Sequence, residues 1–153
     1  MRRFEQKKDL KKAQDLNKLA VLTPAIGAGY SERIELDPDH IKQTYIENKG
    51  EFLVVYVGRN LVAMGAVQEK DNRTAVISQV QIHPEYWMHG LAETLRNGLE
   101  GKARELEYRK ILTEVQRENR VNQALCEKLG FHTVNMITKD GTDFFILEKE
   151  LKD

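Results

Sequence analysis

Apolar residues follow two different periods along this chain, and each change of period marks an element boundary. Leu10, Ala13, Leu16 and Ala20 recur at helical spacing with lysines on the other face, which predicts an amphipathic helix. Residues 23–36 form an irregular connection rich in small side chains. Asp37-Pro38 then supplies an N-cap and a proline at the first helical position. Ile41 and Tyr45 share one face of this second helix, and Gly50 follows its end. Phe52 to Val57 is a short apolar, β-branched and aromatic run, predicting a buried strand. Gly58-Arg59-Asn60 reads as a turn, Leu61 to Val67 as the returning arm of a hairpin, and Glu69 to Arg73 as a polar loop. A third strand is expected from Thr74 to about His83, with Val76, Val80 and Ile82 on one face and Ile77, Gln79, Gln81 and His83 on the other.

From Gly90 the period is helical again. Leu91, Leu95, Leu99, Ala103 and Leu106 make an apolar stripe, with Glu93, Arg96, Glu100 and Arg104 expected on other faces. Ile111 to Val115 reads as a strand, and Asn119 to Leu129 as a helix closed by Gly130. Phe131 to Thr138 and Thr142 to Leu151 read as strands around the turn signal Lys139-Asp140-Gly141. Hairpins in the front half, joined to strand–helix–strand crossovers, imply an α/β (α+β) fold. The expected architecture is a mixed, mostly antiparallel sheet of six to seven strands flanked by about four helices.

Composition narrows the class. The chain has 153 residues, is 41% hydrophobic and 31% charged, and fits one domain over 1–153, since domains run about 100–200 residues. Lys plus Arg and Asp plus Glu are 24 each, so a global electrostatic case for nucleic acid or an acidic membrane is absent. No apolar run approaches the ~18 residues that span a bilayer, and no apolar segment follows Met1-Arg2-Arg3 as a secretory signal requires. The basic residues Arg2, Arg3, Lys7, Lys8, Lys11 and Lys12 alternate with Glu5 and Asp9, which reads as a solvated helix face. A single cysteine, Cys126, permits no internal disulfide and suits a reducing cytoplasm.

Common chemical motifs are missing: there is no Walker A loop, no His-Glu-x-x-His or Cys-x-x-Cys metal spacing and no Gly-x-Ser-x-Gly elbow. Gly27-Ala28-Gly29 lacks the third glycine of a dinucleotide fingerprint. No metal is therefore expected, and His40, His89 and His132 have no partners at metal spacing. Two stretches carry information. In the first, the strand Val80-Gln81-Ile82-His83-Pro84 feeds the loop Trp87-Met88-His89-Gly90-Leu91-Ala92, which opens a helix. Amides at a helix start have no intrahelical partner and feel the positive end of the dipole, so they can bind phosphate without basic side chains. An ordinary strand–helix turn that needs glycine for space fits this stretch equally well. In the second, Glu114 lies on a strand, Asn119 stands near a helix start, and Leu129-Gly130-Phe131 closes that helix. Asn119 reads there as a helix N-cap as readily as a ligand contact.

In order and separation the two stretches resemble the GNAT superfamily of acetyl-CoA-dependent N-acetyltransferases. That family's strand ends Val-x-Val-x-Pro, its loop reads Arg/Gln-x-x-Gly-x-Gly/Ala, and its later helix reads Asn-x-x-Ala-x-x-Leu-Tyr before Gly-Phe. The resemblance covers most of the chain, with Phe4 to Leu10 similar to the family's short first strand and helix start, and Phe144 to Leu151 similar to its last strand. It implies that the backbone amides of Trp87, Met88, His89, Gly90, Leu91 and Ala92 hold the coenzyme pyrophosphate. It also implies that Val80, Gln81 and Ile82 line the pantetheine arm, that an amide near Ile82 polarises the thioester carbonyl, and that Asn119 touches the arm. Acetyl-CoA would be the co-substrate, and a small-molecule or peptide amine the acceptor.

Three residues depart from the family pattern. Trp87 stands for Arg or Gln, Asn122 for alanine, and Cys126 for the tyrosine that protonates the leaving thiolate. A thiol, with a reference pKa near 8.5, can still donate a proton, although it is shorter than tyrosine; a small buried packing thiol fits the position as well. Glu114 is the carboxylate candidate for general base, its alternation with Thr113 and Val115 leaving its direction open. Gln79, Gln81 and His83 are candidates to route a water. A different class fits the same departures: a non-catalytic relative that senses acyl-CoA or binds a partner. Homodimers are common among relatives, and a homodimer stays open for this chain. Residues 23–36 and 139–142 are expected to border the acceptor pocket.

Overall fold

The strand and helix patterns above resolve, in a computed structural model, into one seven-stranded sheet with helices on both faces. The structure describes residues 1–22, 41, 45–86 and 90–151, apart from the side chains of residues 6, 17–22 and 79. In chain order the elements are β1 (Arg2–Arg3), α1 (Gln6–Leu22), β2 (Glu51–Val57), β3 (Asn60–Asp71) and β4 (Thr74–Ile82). A 3₁₀ turn at Pro84–Tyr86 leads to α2 (Leu91–Glu105), β5 (Lys110–Gln116), α3 (Arg120–Lys128), β6 (His132–Lys139) and β7 (Thr142–Glu150). The strands lie in the order β1-β2-β3-β4-β5-β7-β6. All neighbours are antiparallel except β4 and β5, which the crossover helix α2 joins in parallel. The expected helix after Asp37-Pro38 falls largely outside the described residues, although Ile41 and Tyr45 are both buried beside Phe52.

Two apolar clusters, one on each face, hold the layers together. On the first face Ala13 and Leu16 of α1 pack with Phe4, Phe52, Val54, Met64 and Ala66. On the second, Leu95, Leu99 and Ala103 of α2 and Cys126 of α3 cover Ile77, Val80, Ile82, Ile111 and Val115. Leu95 and Leu99 are completely buried, and truncating either to alanine costs about 2–5 kcal/mol. Gly65 of β3 faces α2 closely: a Cβ there would meet the side-chain methyls of Leu99 at 3.0 Å and Leu95 at 3.2 Å.

Several expectations change in three dimensions. The first strand is Arg2–Arg3 rather than part of Phe4 to Leu10, whose backbone has already entered α1 by Gln6. Asp9 is not on a solvated face. It is fully buried and accepts hydrogen bonds from Arg2 Nη1 and Nη2 (2.7 and 2.8 Å), Glu5 N (2.7 Å) and Tyr56 Oη (2.6 Å). Arg3 grips Glu51 in the same two-pronged way, both bonds 2.7 Å, so these arginines fasten the N-terminal segment to α1 and β2. Residues Glu69 to Asp71 extend β3 instead of looping, leaving Asn72-Arg73 as the turn.

The alternation expected for β4 also fails, for a specific reason. Met64 pairs Gln81 while Ala66 pairs Ser78, so β4 spends one more residue than β3 between the two pairs. This bulge reverses the facing of everything after it. Ala75 and Ile77 before it, and Val80 and Ile82 after it, therefore all join the α2 cluster.

Candidate active site

The bulge opens the sheet. β4 and β5 pair only from Thr74↔Lys110 to Ile77↔Thr113, and beyond that point the two strands have no shared ladder. A V-shaped gap results, closed at Ile77 and Thr113 and flanked on one side by the backbone of Val80, Gln81 and Ile82. Those residues still pair with β3, through Met64↔Gln81 and Ala63↔Ile82, so the edge toward β5 is what they offer to an extended ligand.

The open end of the V leads to the start of α2. His83 braces the turn: its Nδ1 accepts from Glu85 N at 3.1 Å, its carbonyl accepts from Tyr86 N at 2.9 Å, and its ring meets Tyr86 edge-on at 5.4 Å. That use favours a structural over a water-routing part for His83. Gly90 occupies the N-cap of α2 at φ 74°, a left-handed conformation that suits glycine, and no side chain caps the helix. The first amides of α2, those of Leu91 and Ala92 among them, thus keep the donors and partial charge that favour an anion. Trp87, Met88 and His89 lie outside the described residues.

Asn119 caps α3, its Oδ1 accepting from Asn122 N at 3.1 Å. The amide nitrogen of Asn119 still carries two donors. Cys126, on the same helix, is fully buried in the α2-side cluster, with Sγ 4.0 Å from Asn122 Oδ1. Burial pushes its thiol up from the ordinary value, nearby Arg96 pulls it down and Glu127 pushes it up, and burial prevails.

Arg96 is the residue that pattern reading misplaced. It is only 3% exposed, not on an outer face, and Glu100 is buried with it. Its guanidinium donates from Nη1 to Thr113 Oγ1 at 3.3 Å and from Nη2 to Asn122 Oδ1 at 3.2 Å, tying α2 to β5 and α3. The signal was in the spacing: Ala92, Leu95, Arg96, Leu99 and Ala103 form the buried stripe, while Leu106 is exposed. Glu100 is held differently, by Lys149 at 2.6 Å and Arg104 at 3.6 Å.

β5 divides the candidate chemistry between the two faces. Ile111 and Val115 belong to the α2-side cluster, and Thr113 shares their parity, so Leu112 and Glu114 point to the α1 side. Glu114 therefore does not meet Cys126 on one face; the sheet separates them. Both Glu114 oxygens lie 2.9 Å from Lys139 Nζ at the end of β6. The α1 face also holds a cleft of about 350 Å³ at the end of β4, whose wall includes Lys12, Asp15, Arg59, His83, Glu85 and Tyr86. Residues 23–36 lie outside the described residues, whereas the 139–142 hairpin adjoins Glu114 through Lys139. Among the described residues no cluster of three or more His, Cys, Asp or Glu is placed to hold a metal ion.

The site thus combines a parallel pair that separates beyond Ile77 and Thr113 with a helix start that no side chain caps. Comparison with known proteins gives the class a name. The acetyltransferase (GNAT) family matches residues 19–131, most of the chain, and the protein belongs to that family. Similar solved structures include an acetyltransferase from Streptococcus agalactiae (21% identity, TM-score 0.79, covering 98% of this chain and 96% of that one). A ribosomal-protein-alanine N-acetyltransferase from Brucella melitensis is 19% identical, with TM-score 0.80 and 98% of each chain covered. A phosphinothricin acetyltransferase from Sinorhizobium meliloti in complex with acetyl-CoA is 17% identical, with TM-score 0.79, covering 98% of this chain and 86% of that one. No curated protein sequence matches the chain significantly.

Proposed function

We propose that this protein transfers the acetyl group of acetyl-CoA to a primary amine by direct attack within a ternary complex. The observation that carries the reading is the V between β4 and β5, closed at Ile77 and Thr113 and open toward the uncapped start of α2. The chain's groups fit the coenzyme: the amides of Gly90, Leu91 and Ala92, with Trp87, Met88 and His89 before them, suit the pyrophosphate. Val80, Gln81 and Ile82 present a strand edge to the amide-bearing arm, and the Asn119 side chain reaches it with its remaining donors. A backbone N–H near Ile82 polarises the thioester carbonyl. Relatives seen with acetyl-CoA, and one named as an N-acetyltransferase, support this assignment.

The acceptor approaches from the α1 face. Glu114, released by Lys139, takes the proton the amine gives up, and a cationic acceptor competes with Lys139 for the same carboxylate. Cys126, kept protonated by burial, is the candidate donor to the departing sulfur from the other face. Attack from one side and departure on the other matches the division that β5 makes. We further propose a cytoplasmic protein, without metal, that acts on a small-molecule or peptide amine and not on nucleic acid or membrane. No helix among the described residues is long and apolar enough to cross a bilayer. A homodimer is part of the same proposal, to be read from sedimentation.

The second reading, a coenzyme-binding module without turnover, is favoured by one observation: Cys126 is completely buried where the family's tyrosine would reach the sulfur. Acetyl-CoA-dependent thiol release across a panel of amino acids, polyamines, aminoglycosides and peptide N-termini separates the two. Release with any amine, confirmed by mass of the acetylated product, supports the enzyme. Binding with no release from any of them supports the module.

A further inference from the structure

Arg96 carries a charge that none of the roles above uses. A guanidinium stays protonated at any working pH, and an interior cation bears a heavy desolvation penalty unless an anion meets it. Among the described residues no carboxylate pairs with Arg96. Its partners are two neutral oxygens, Thr113 Oγ1 and Asn122 Oδ1, and its Nε has no hydrogen-bond partner. A leucine or methionine would fill the same stripe position on α2 without burying a charge, at the cost of the hydrogen bonds to Thr113 and Asn122. The titratable group whose charge reaches Arg96 is Cys126, itself a thiol that burial holds protonated.

Position supplies the missing anion. Thr113, which anchors the guanidinium, is the last β5 residue paired to β4, so Arg96 stands at the closed end of the V. An arm that starts at the mouth of α2 and runs along Ile82 and Val80 brings its reactive end to that closed end. Thr113, Asn122 and Cys126 surround this point on the α2 side, opposite the face of Glu114. We propose that Arg96 is the positive charge onto which the coenzyme A thiolate departs, a part that tyrosine plays by proton donation elsewhere in the family.

This rests on the acetyl-transfer reading above. In the step, the amine nitrogen bonds to the carbonyl carbon and the C–S bond breaks with its electron pair on sulfur. The proton lost by the amine goes to Glu114 or water. Arg96 gives the sulfur N–H hydrogen bonds and no proton; the sulfur leaves as the thiolate and takes its proton from water, because a thiol that burial raises is a poor donor to a thiolate that Arg96 stabilises. Asn122 and Thr113 act as positioning residues that aim the guanidinium.

The test titrates the thiol of coenzyme A bound to the full-length protein, read by thiolate absorbance, with the coenzyme-free protein as the Cys126 baseline. An opposite charge at contact lowers a pKa by about 1–3 units, so the bound thiol is expected that far below the value of free coenzyme A titrated in the same buffer. In Arg96→Met the shift disappears and kcat falls about 10²-fold, as for loss of one charge-stabilising donor, while acetyl-CoA affinity is unchanged. Arg96→Lys, which keeps the charge and tolerates folding differently, retains part of the shift. A bound thiol in the wild type at or above its free value overturns the proposal and leaves acetyl transfer standing. An equal shift in wild type and Arg96→Met overturns it too, assigning the effect to the backbone. Failure of the wild type to bind coenzyme A at all removes the functional reading, and this proposal with it.

Discussion

Removing the Asp9 carboxylate is predicted to destabilise the protein by about 3 kcal/mol. The carboxylate accepts four hydrogen bonds, two from Arg2 and one each from Glu5 N and Tyr56 Oη. Hydrogen bonds to a charged group contribute about 1.5–3 kcal/mol each, but the desolvation of Asp9 offsets much of the sum. Breaking a buried pair costs about 3–5 kcal/mol, and the low end applies because the Arg2 side chain is 39% exposed and recovers water. For a chain of this length each kcal/mol moves Tm by about 2–4 °C, so Asp9→Ala should melt about 6–12 °C lower. Urea unfolding with an unchanged m-value gives the free energy directly. Because α1 carries Lys12, Asp15 and Leu16 into the cleft at the end of β4, the acceptor KM should rise more than the acetyl-CoA KM. A loss under about 1 kcal/mol, or equal effects on both KM values, would refute the latch and its link to the cleft.

Four further outcomes are expected. Burial alone would raise the Asp9 carboxyl, but Arg2, Tyr56 and the Glu5 amide outweigh it and hold it below its usual range. Its contribution is therefore present above the unfolded pKa near 3.9 and lost as pH falls through the lower folded value, so the stability gap to Asp9→Asn should narrow in acid urea melts. Burial, and then Asp9, pushes the Tyr56 hydroxyl up to about 12, so its contribution holds below about pH 10 and fades as pH climbs toward 12, a loss Tyr56→Phe should not show. Gly90→Ala forces a side chain into the left-handed region at a cost of about 1–2 kcal/mol, with open space around it; calorimetry with acetyl-CoA should show weakened binding beyond the change in Tm. Cys126→Ala separates the two routes for the leaving sulfur: a fall in kcat of about 10²-fold with acetyl-CoA affinity intact is the span expected of a general acid, and a nearly unchanged kcat assigns Cys126 to packing and leaves the departing charge to Arg96.

What the linear chain revealed depended on how local the cause was. The Asp140-Gly141 turn, the Asn119 cap and the uncapped start at Gly90 are decided by a few neighbouring residues, and each stands as read. The β4 bulge is not local: it shows only when Ser78 and Gln81 are matched to Ala66 and Met64, and it moved Ile77 to the same face as Val80. The chain alone puts Arg96 off the apolar stripe of its helix and Asp9 on a solvated face, because charged side chains usually lie at the surface. Their burial depends on partners distant in sequence, Thr113 and Asn122 for one and Tyr56 for the other. The direction of Glu114 likewise needed the pairing of β5 with β4 and β7 before its face was defined.

The most direct test of the account is a thermal-shift titration of the wild type with acetyl-CoA, with coenzyme A and adenosine as controls. A ligand at 100 times its Kd adds about 2.7 kcal/mol, which for this chain means a rise of about 5–11 °C. A saturable rise with acetyl-CoA and coenzyme A but not adenosine is the result predicted by the proposal that the V and the start of α2 seat the arm and the pyrophosphate. No shift at millimolar coenzyme would contradict the assignment of that gap.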